Sequence, residues 1–341
     1  MKLIKSAQID ITYKCNFRCK HCFNSSGEHN NGLIEMTEDQ IIKNVNEFLE
    51  LGVDSLCCCG GEALLRKDIV YKVGKTVKNY NDQINVALVS NGYLIDEEVA
   101  YNLAENGIKS VQISIDGANS EEHDWMRNMP GSYERAIQAV DNLVKNGINV
   151  ETAFVPTEKN IKDLGNAIDN AYNLGISNFR IQPAMSLGRA KKNLNDYLLD
   201  YNGFIKYKSI LDKKKIQYIN QNFTIEWGDP LEHLRFIDGV KKSNIHVAVN
   251  AYGDILISPY LPIAFGNVKK ASIKQYMDAG LKDVWDNEFL KAIISKIHSV
   301  DDMDLSRIGL PEIYLDKNID LDLLNDNYEE KTKKLLLELG W

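Results

Sequence analysis

The sequence predicts an α/β protein with a parallel sheet: a partial (β/α)6 TIM-like barrel carrying a small C-terminal α+β extension. Three observations lead there. Short apolar runs of strand length alternate with helix-period segments through about Lys215, the signature of consecutive βα units. Six such units fit into that span, fewer than the eight strands of a closed barrel. After Lys215 the beat gives way to a hairpin and short helices. The chain has 341 residues, 44% of them apolar, enough for one large domain with a proper core and a smaller appendage.

Ala7, Ile9 and Ile11 alternate in a first strand, which runs into a cysteine-rich loop. The first helix opens at Thr37, with Gln40 completing a capping box and Met36 and Ile41 forming a hydrophobic staple, and it stops at Gly52. A strand over 53–59 and a helix over 68–80 follow, then a strand over 84–90 that ends at Asn91-Gly92. Asp96 caps a helix closed by Gly107, and 110–116 form the fourth strand. Ser132 caps a helix closed by Gly147, before a strand over 150–155. Asn160 opens a helix closed by Gly175, and 179–182 make the sixth strand before Pro183.

Beyond the barrel, 245–249 and 255–257 flank Tyr252-Gly253-Asp254, a hairpin signal. Helices are expected over 272–279 and 283–297, and from 299 onward only a polar connector and a helix over 329–339. The expected divisions are 1–215 for the barrel, 216–298 for the extension and 299–341 for the connector and last helix.

Forty Lys and Arg stand against 48 Asp and Glu, a net charge of −8 with no basic run, which argues against nucleic acid as a partner. No apolar run approaches the roughly 20 residues of a bilayer span. The first residues are too poor in apolar content for a signal peptide. A cytoplasmic protein that does not enter the membrane is expected.

All six cysteines precede residue 60. Cys15, Cys19 and Cys22 sit on the loop leaving the first strand. Three thiolates are an odd number for an ion that wants a closed shell of four ligands. They suit an iron–sulfur cube with three protein-held irons and one open corner. Zinc held by the three thiols, with His21 or His29 as fourth ligand, is the other reading.

Cys-x3-Cys-x2-Cys resembles the cluster motif of the radical S-adenosylmethionine (SAM) superfamily, and two further stretches strengthen the likeness. Gly60-Gly61-Glu62 matches its GGE motif, and Ile113-Ser114-Ile115-Asp116-Gly117 looks like its ribose-binding strand. The resemblance implies one [4Fe–4S] cluster on Cys15, Cys19 and Cys22, with SAM on its open iron. It implies His21 against the adenine, where the family usually has another aromatic. It places Gly60 and Gly61 close to the ligand, with Glu62 on the SAM ammonium. Ser114 and Asp116 are assigned to the ribose and carboxylate, Asn91 beside them, and Arg127 to the carboxylate. Gln182 and the Gly188-Arg189 pair resemble the family's sixth-strand region near the adenine. Ala63 stands where the family usually has Pro. The hairpin and the following Gly266-Asn267 resemble the SPASM or twitch extension of radical SAM enzymes. Its auxiliary-cluster cysteines are replaced here by Ser258-Pro259-Tyr260-Leu261-Pro262.

The implied reaction is reductive cleavage of SAM to a 5′-deoxyadenosyl radical, which takes hydrogen from a substrate. Water is expected to be excluded by closure of the C-terminal segment. The favoured substrate is a ribosomally made peptide, recognised by the barrel or a separate protein; sugar, nucleoside or cofactor biosynthesis is the alternative. An electron donor such as flavodoxin or ferredoxin is implied. A non-catalytic zinc or iron–sulfur protein is the alternative from another class. Among Cys57, Cys58 and Cys59, alternation puts the outer two on one face and Cys58 on the other. They read as small core residues or as a thiol that returns hydrogen to a substrate radical, with Cys58 the candidate donor.

Overall fold

The computed structural model describes residues 4–235, 245–312 and 316–340. Its strands are β1 (Ser6–Thr12), β2 (Ser55–Gly60), β3 (Asn85–Ser90), β4 (Ser110–Ser114), β5 (Asn149–Phe154), β6 (Asn178–Ile181), β7 (Thr224–Trp227), β8 (His246–Val249) and β9 (Ile255–Leu256). They form one sheet in the order β7-β6-β5-β4-β3-β2-β1-β8-β9. Every pairing is parallel except that of β8 with β9. The expected α/β fold with its run of six parallel strands is present, extended by β7 beyond β6 and by β8 and β9 beyond β1.

Two helices follow the capping logic of the sequence closely. Helix α1 (Glu38–Glu50) begins at Thr37, whose side chain and that of Gln40 form the reciprocal capping box. Helices α2 (Lys67–Tyr80) and α3 (Glu97–Glu105) come next, the latter capped by Asp96. A short helix not expected from the sequence, α4 (Ser120–Arg127), precedes α5 (Ser132–Lys145). The N-cap of α5 is Gly131 rather than Ser132. Asp124 on α4 does the capping instead, accepting from Gly131 N, Ser132 Oγ and Tyr133 N at 2.6, 2.8 and 2.9 Å. Helix α6 (Leu164–Asn173) completes the ring, and α7 (Gly188–Asn193) and α8 (Tyr201–Gln217) follow β6.

Each strand turns one face to the helices and one inward. Ile9, Leu56, Cys58, Leu88, Val111, Ile113 and Val150 are buried in the helix-side core. Gln8, Asp10, Cys59, Gln112 and Ser114 face the opposite way, into the concave side. The polar concave face against an apolar convex one is what makes the barrel interior a site.

Strand β7 lies beyond the expected end of the barrel at 215 yet pairs parallel with β6. It was hidden because its Thr224, Glu226 and Trp227 are exposed, leaving Ile225 as its single buried apolar anchor. The hairpin at Gly253 forms, and β8 docks beside β1, so the extension shares the main sheet. The C-terminal connector is more than a spacer: Ile319–Asp320 (β11) pairs with Ile263–Ala264 (β10).

Candidate active site

At the C-terminal ends of the strands lies a cavity of about 330 Å³, within the size range of small-molecule sites. Cys15, Cys19 and Cys22 all line it. The loop that carries them is pinned from beneath by Phe17, fully buried and edge-on to Tyr93 at 5.4 Å. Among the described residues, no three His, Cys, Asp or Glu side chains close around a single metal ion. The three thiols border a wider space.

Burial pushes the Cys15 thiol up and the Cys19 thiol up to about 12. As thiolates they need a cationic partner, which iron supplies. A protein cation beside the thiols is Arg127, whose Nη1 is 3.9 Å from Cys19 Sγ. Its Nη2 is 2.6 Å from Asp116 Oδ2 in a fully buried ion pair. Burial raises the Asp116 carboxyl, but Arg127, His21 and His123 outweigh it and hold it below the usual range. Burial pushes His21 down to about 4, so its ring is neutral at pH 7. His21 Nε2 lies 3.5 Å from Asp116 Oδ2. His21 Nδ1 and Arg127 Nε are buried with no hydrogen-bond partner among the described residues. Orphaned polar atoms beside three thiols are what a bound polar ligand would satisfy. The donor set and these two atoms fit an iron–sulfur cluster with a polar cofactor next to it.

The cysteine loop is clamped from the far end of the barrel. Arg189, at the start of α7, donates from Nε to Cys19 O at 2.9 Å and from Nη1 to Ser26 O at 3.1 Å, and pairs with Glu28 at 2.9 Å. Its own N–H donates to Cys22 O. Gly188 has φ +52°, and a Cβ there would lie 2.4 Å from Phe23 O. The Gly188-Arg189 pair, expected near the adenine, grips the cysteine loop.

The sequence-derived residues divide into two sets. His21, Gly60, Gly61, Asn91, Ser114, Arg127 and Gln182 reach the cavity wall. Glu62 and Asp116 sit behind it, each fully buried. The Glu62 carboxylate accepts from Leu64 N, Ser90 Oγ and Asn91 N at 3.2, 3.0 and 2.9 Å. It holds together the turns after β2 and β3. The strand expected over 110–116 ends at Ser114, so Asp116 lies just past β4. Gly60 and Gly61 also serve a neighbour other than a ligand: a Cβ at either would lie 2.3 Å from the Thr12 or Lys14 carbonyl of the first β–α loop.

Cys58 requires a correction. It is fully buried in the helix-side core and does not reach the cavity; Cys59 does. The parity of β2 was legible, but which parity faces inward depends on its register with β1.

Several further cavity residues are marked in the sequence by polar positions within apolar strands. Gln8 and Asp10 are polar residues alternating with Ile9 and Ile11 in the first strand, as Gln112 alternates with Val111 and Ile113. From the extension, Pro259 and Tyr260 reach the wall, and Tyr260 OH lies 3.2 Å from Gln182 Nε2.

Residues 9–171 match the Radical SAM superfamily, whose members bind a [4Fe–4S] cluster and S-adenosylmethionine. The AdoMet-dependent heme synthase of Methanosarcina barkeri is 22% identical over 82% of this chain and 81% of its own length. The mycofactocin maturase MftC of Mycobacterium ulcerans is 31% identical over 51% of this chain, which spans just under half, 47%, of that relative. In fold, the chain is similar to Streptococcus suis SuiB bound to its precursor peptide SuiA. The TM-score is 0.66 at 17% identity, covering 88% of this chain and 68% of that one. Among the described residues, no helix is long and apolar enough to cross a membrane. With three thiols, orphaned polar atoms and a polar concave face at the strand ends, the chain carries a radical SAM superfamily domain over residues 9–171 and is a radical SAM enzyme.

Proposed function

We propose that the chain holds one [4Fe–4S] cluster on Cys15, Cys19 and Cys22, binds SAM beside it, and modifies a ribosomally made peptide by hydrogen abstraction. The observation that carries this reading is the convergence of the three thiols with His21, Asn91, Ser114, Arg127 and Gln182 on one cavity. A bound and reduced cluster would supply the electron for reductive cleavage of SAM.

The protein's own part is positioning. Arg189 and Glu28 fix the cysteine loop. Arg127, anchored by Asp116, keeps positive charge beside Cys19 and offers its free Nε to the SAM carboxylate. Neutral His21 covers the cluster side and presents an unpartnered Nδ1. Glu62 acts through Asn91, whose backbone it holds. Tyr260 and Pro259 bring the extension over the cavity, which supports a role for the C-terminal segment in excluding water. The barrel over 1–215 carries the chemistry, the extension over 216–298 closes the wall, and 299–341 ties the extension down. A small electron-transfer protein such as flavodoxin or ferredoxin delivers the electron, and the enzyme works in the cytoplasm.

A peptide substrate is supported by the mycofactocin maturase and by the fold shared with SuiB. A small-molecule substrate from cofactor biosynthesis is the second reading, supported by the heme synthase, whose match spans most of both chains. The test is anaerobic reconstitution with iron and sulfide, then dithionite and SAM. Formation of 5′-deoxyadenosine is expected. A protein that retains only zinc and leaves SAM intact would be a binding protein instead.

A further inference from the structure

We propose that Cys57 and Cys59 form a dithiol that delivers hydrogen to a carbon radical in the cavity, with Cys59 the direct donor and Cys57 its resupply. The inference rests on the radical chemistry proposed above and assigns it a hydrogen source within this chain.

Three features of β2 carry it. Its alternation sends Leu56 and Cys58 into the helix-side core and leaves Cys57 and Cys59 on the concave side. The two sulfurs there are 3.1 Å apart. Cys59 lines the same cavity as Cys15, Cys19 and Cys22, while Cys57 stands one step further down the strand, off the cavity wall. In register, Cys59 faces Asp10 and Cys57 faces Gln8 on β1. Asp10 is itself buried, lines the cavity, and accepts from Tyr13 OH at 2.7 Å. The Cys57 contact, burial and the neighbouring Asp10 all push the Cys59 thiol up, so sulfur keeps its hydrogen at neutral pH. That is the form a hydrogen-atom donor needs.

The chemistry balances simply. The Cys59 S–H bond breaks homolytically, its hydrogen atom forms the new C–H bond, and the odd electron stays on sulfur. An S–H bond is weaker than an unactivated C–H bond, so the transfer runs downhill. The hydrogen atom of Cys57 then crosses to the Cys59 sulfur, which moves the radical off the cavity wall. One electron from a low-potential donor and one proton from water restore the Cys57 thiol. A substrate treated this way leaves at the oxidation level at which it entered.

The test needs no substrate. Reconstituted protein is given SAM and dithionite in D2O, where both thiols exchange to S–D, and the 5′-deoxyadenosine is weighed by mass spectrometry. Wild type is expected to give product carrying one deuterium. Cys59→Ala and the near-isosteric Cys59→Ser lose the label while still forming 5′-deoxyadenosine, their iron content and cluster absorbance matching wild type. Cys57→Ala labels the first equivalent and loses label on later ones, which a merely structural role would not produce. Cys58→Ala labels as wild type does. Unlabelled product from wild type, or label that survives in both Cys59 variants, overturns the dithiol and leaves the proposed function standing. No 5′-deoxyadenosine from wild type overturns both.

Discussion

Arg189 Nε donates to the Cys19 carbonyl at 2.9 Å, joining residues separated by 170 positions in the chain. The bond ties the last βα unit to the first loop. Arg189→Ala removes a buried guanidinium that satisfies two carbonyls and a carboxylate. Loss of such charge-assisted bonds costs about 3 kcal/mol. The expected result is a lower urea midpoint for the cluster-free protein and severalfold less iron retained after reconstitution and gel filtration. Arg189→Lys keeps the charge but not the fork, and falls between.

Gly188 offers a sharper contrast. With φ +52° and a Cβ position 2.4 Å from Phe23 O and 2.7 Å from Cys22 O, Gly188→Ala meets both backbone strain and a collision with the cluster loop. Gly131 has φ +74° and open space around the same position. Gly131→Ala is expected to cost only the strain of a left-handed residue, about 1 kcal/mol. Gly188→Ala should cost more and reduce iron content, read by unfolding and by iron assay. Equal behaviour of the two variants would show that the approach to Phe23 and Cys22 does not matter.

Glu62 separates two roles that sequence alone merges. As the acceptor for Leu64 N, Ser90 Oγ and Asn91 N, it is a structural carboxylate, and Glu62→Ala leaves buried donors unpaired. A loss of about 2–4 kcal/mol is expected in cluster-free protein, before any SAM is present. Unchanged stability together with abolished SAM binding, measured by calorimetry on the loaded protein, would instead assign Glu62 directly to the ligand.

The pH dependence follows from two buried imidazoles. Burial pushes His21 and His123 each down to about 4, against an ordinary value of 6.5. Between those values the unfolded chain binds protons that the folded chain refuses. The imidazoles' contribution is therefore full above pH 6.5 and falls as the pH drops toward 4, by roughly 3 kcal/mol per imidazole, while Glu122, pushed up to about 7 by burial, works the other way over the same range. Asp116, whose pKa is lowered from 3.8, adds its own loss only below that value. Urea unfolding of the cluster-free protein at pH 7.5, 6 and 5 should show His21→Phe losing less stability on acidification than wild type, by the share of one imidazole. Equal pH dependence in wild type and His21→Phe would contradict the burial of the His21 ring.

What the sequence determined by itself was local. The alternation of strand and helix periods, the capping box at Thr37 and Gln40, and the spacing of Cys15, Cys19 and Cys22 depend on neighbours a few residues away. The chain writes them directly. Tertiary structure decided what needed distant partners. It turned Glu62 away from the cavity toward Ser90 and Asn91, and set Asp124 rather than Ser132 to cap α5. It brought Arg189 and Tyr260 to a site begun by the first loop. Strand parity shows that Cys57 and Cys59 share a face, but only the pairing of β2 with β1 and β3 fixes that face as the inner one. The physical reason is that a strand's two faces are equivalent until a curved sheet buries one against helices and leaves the other around a cavity.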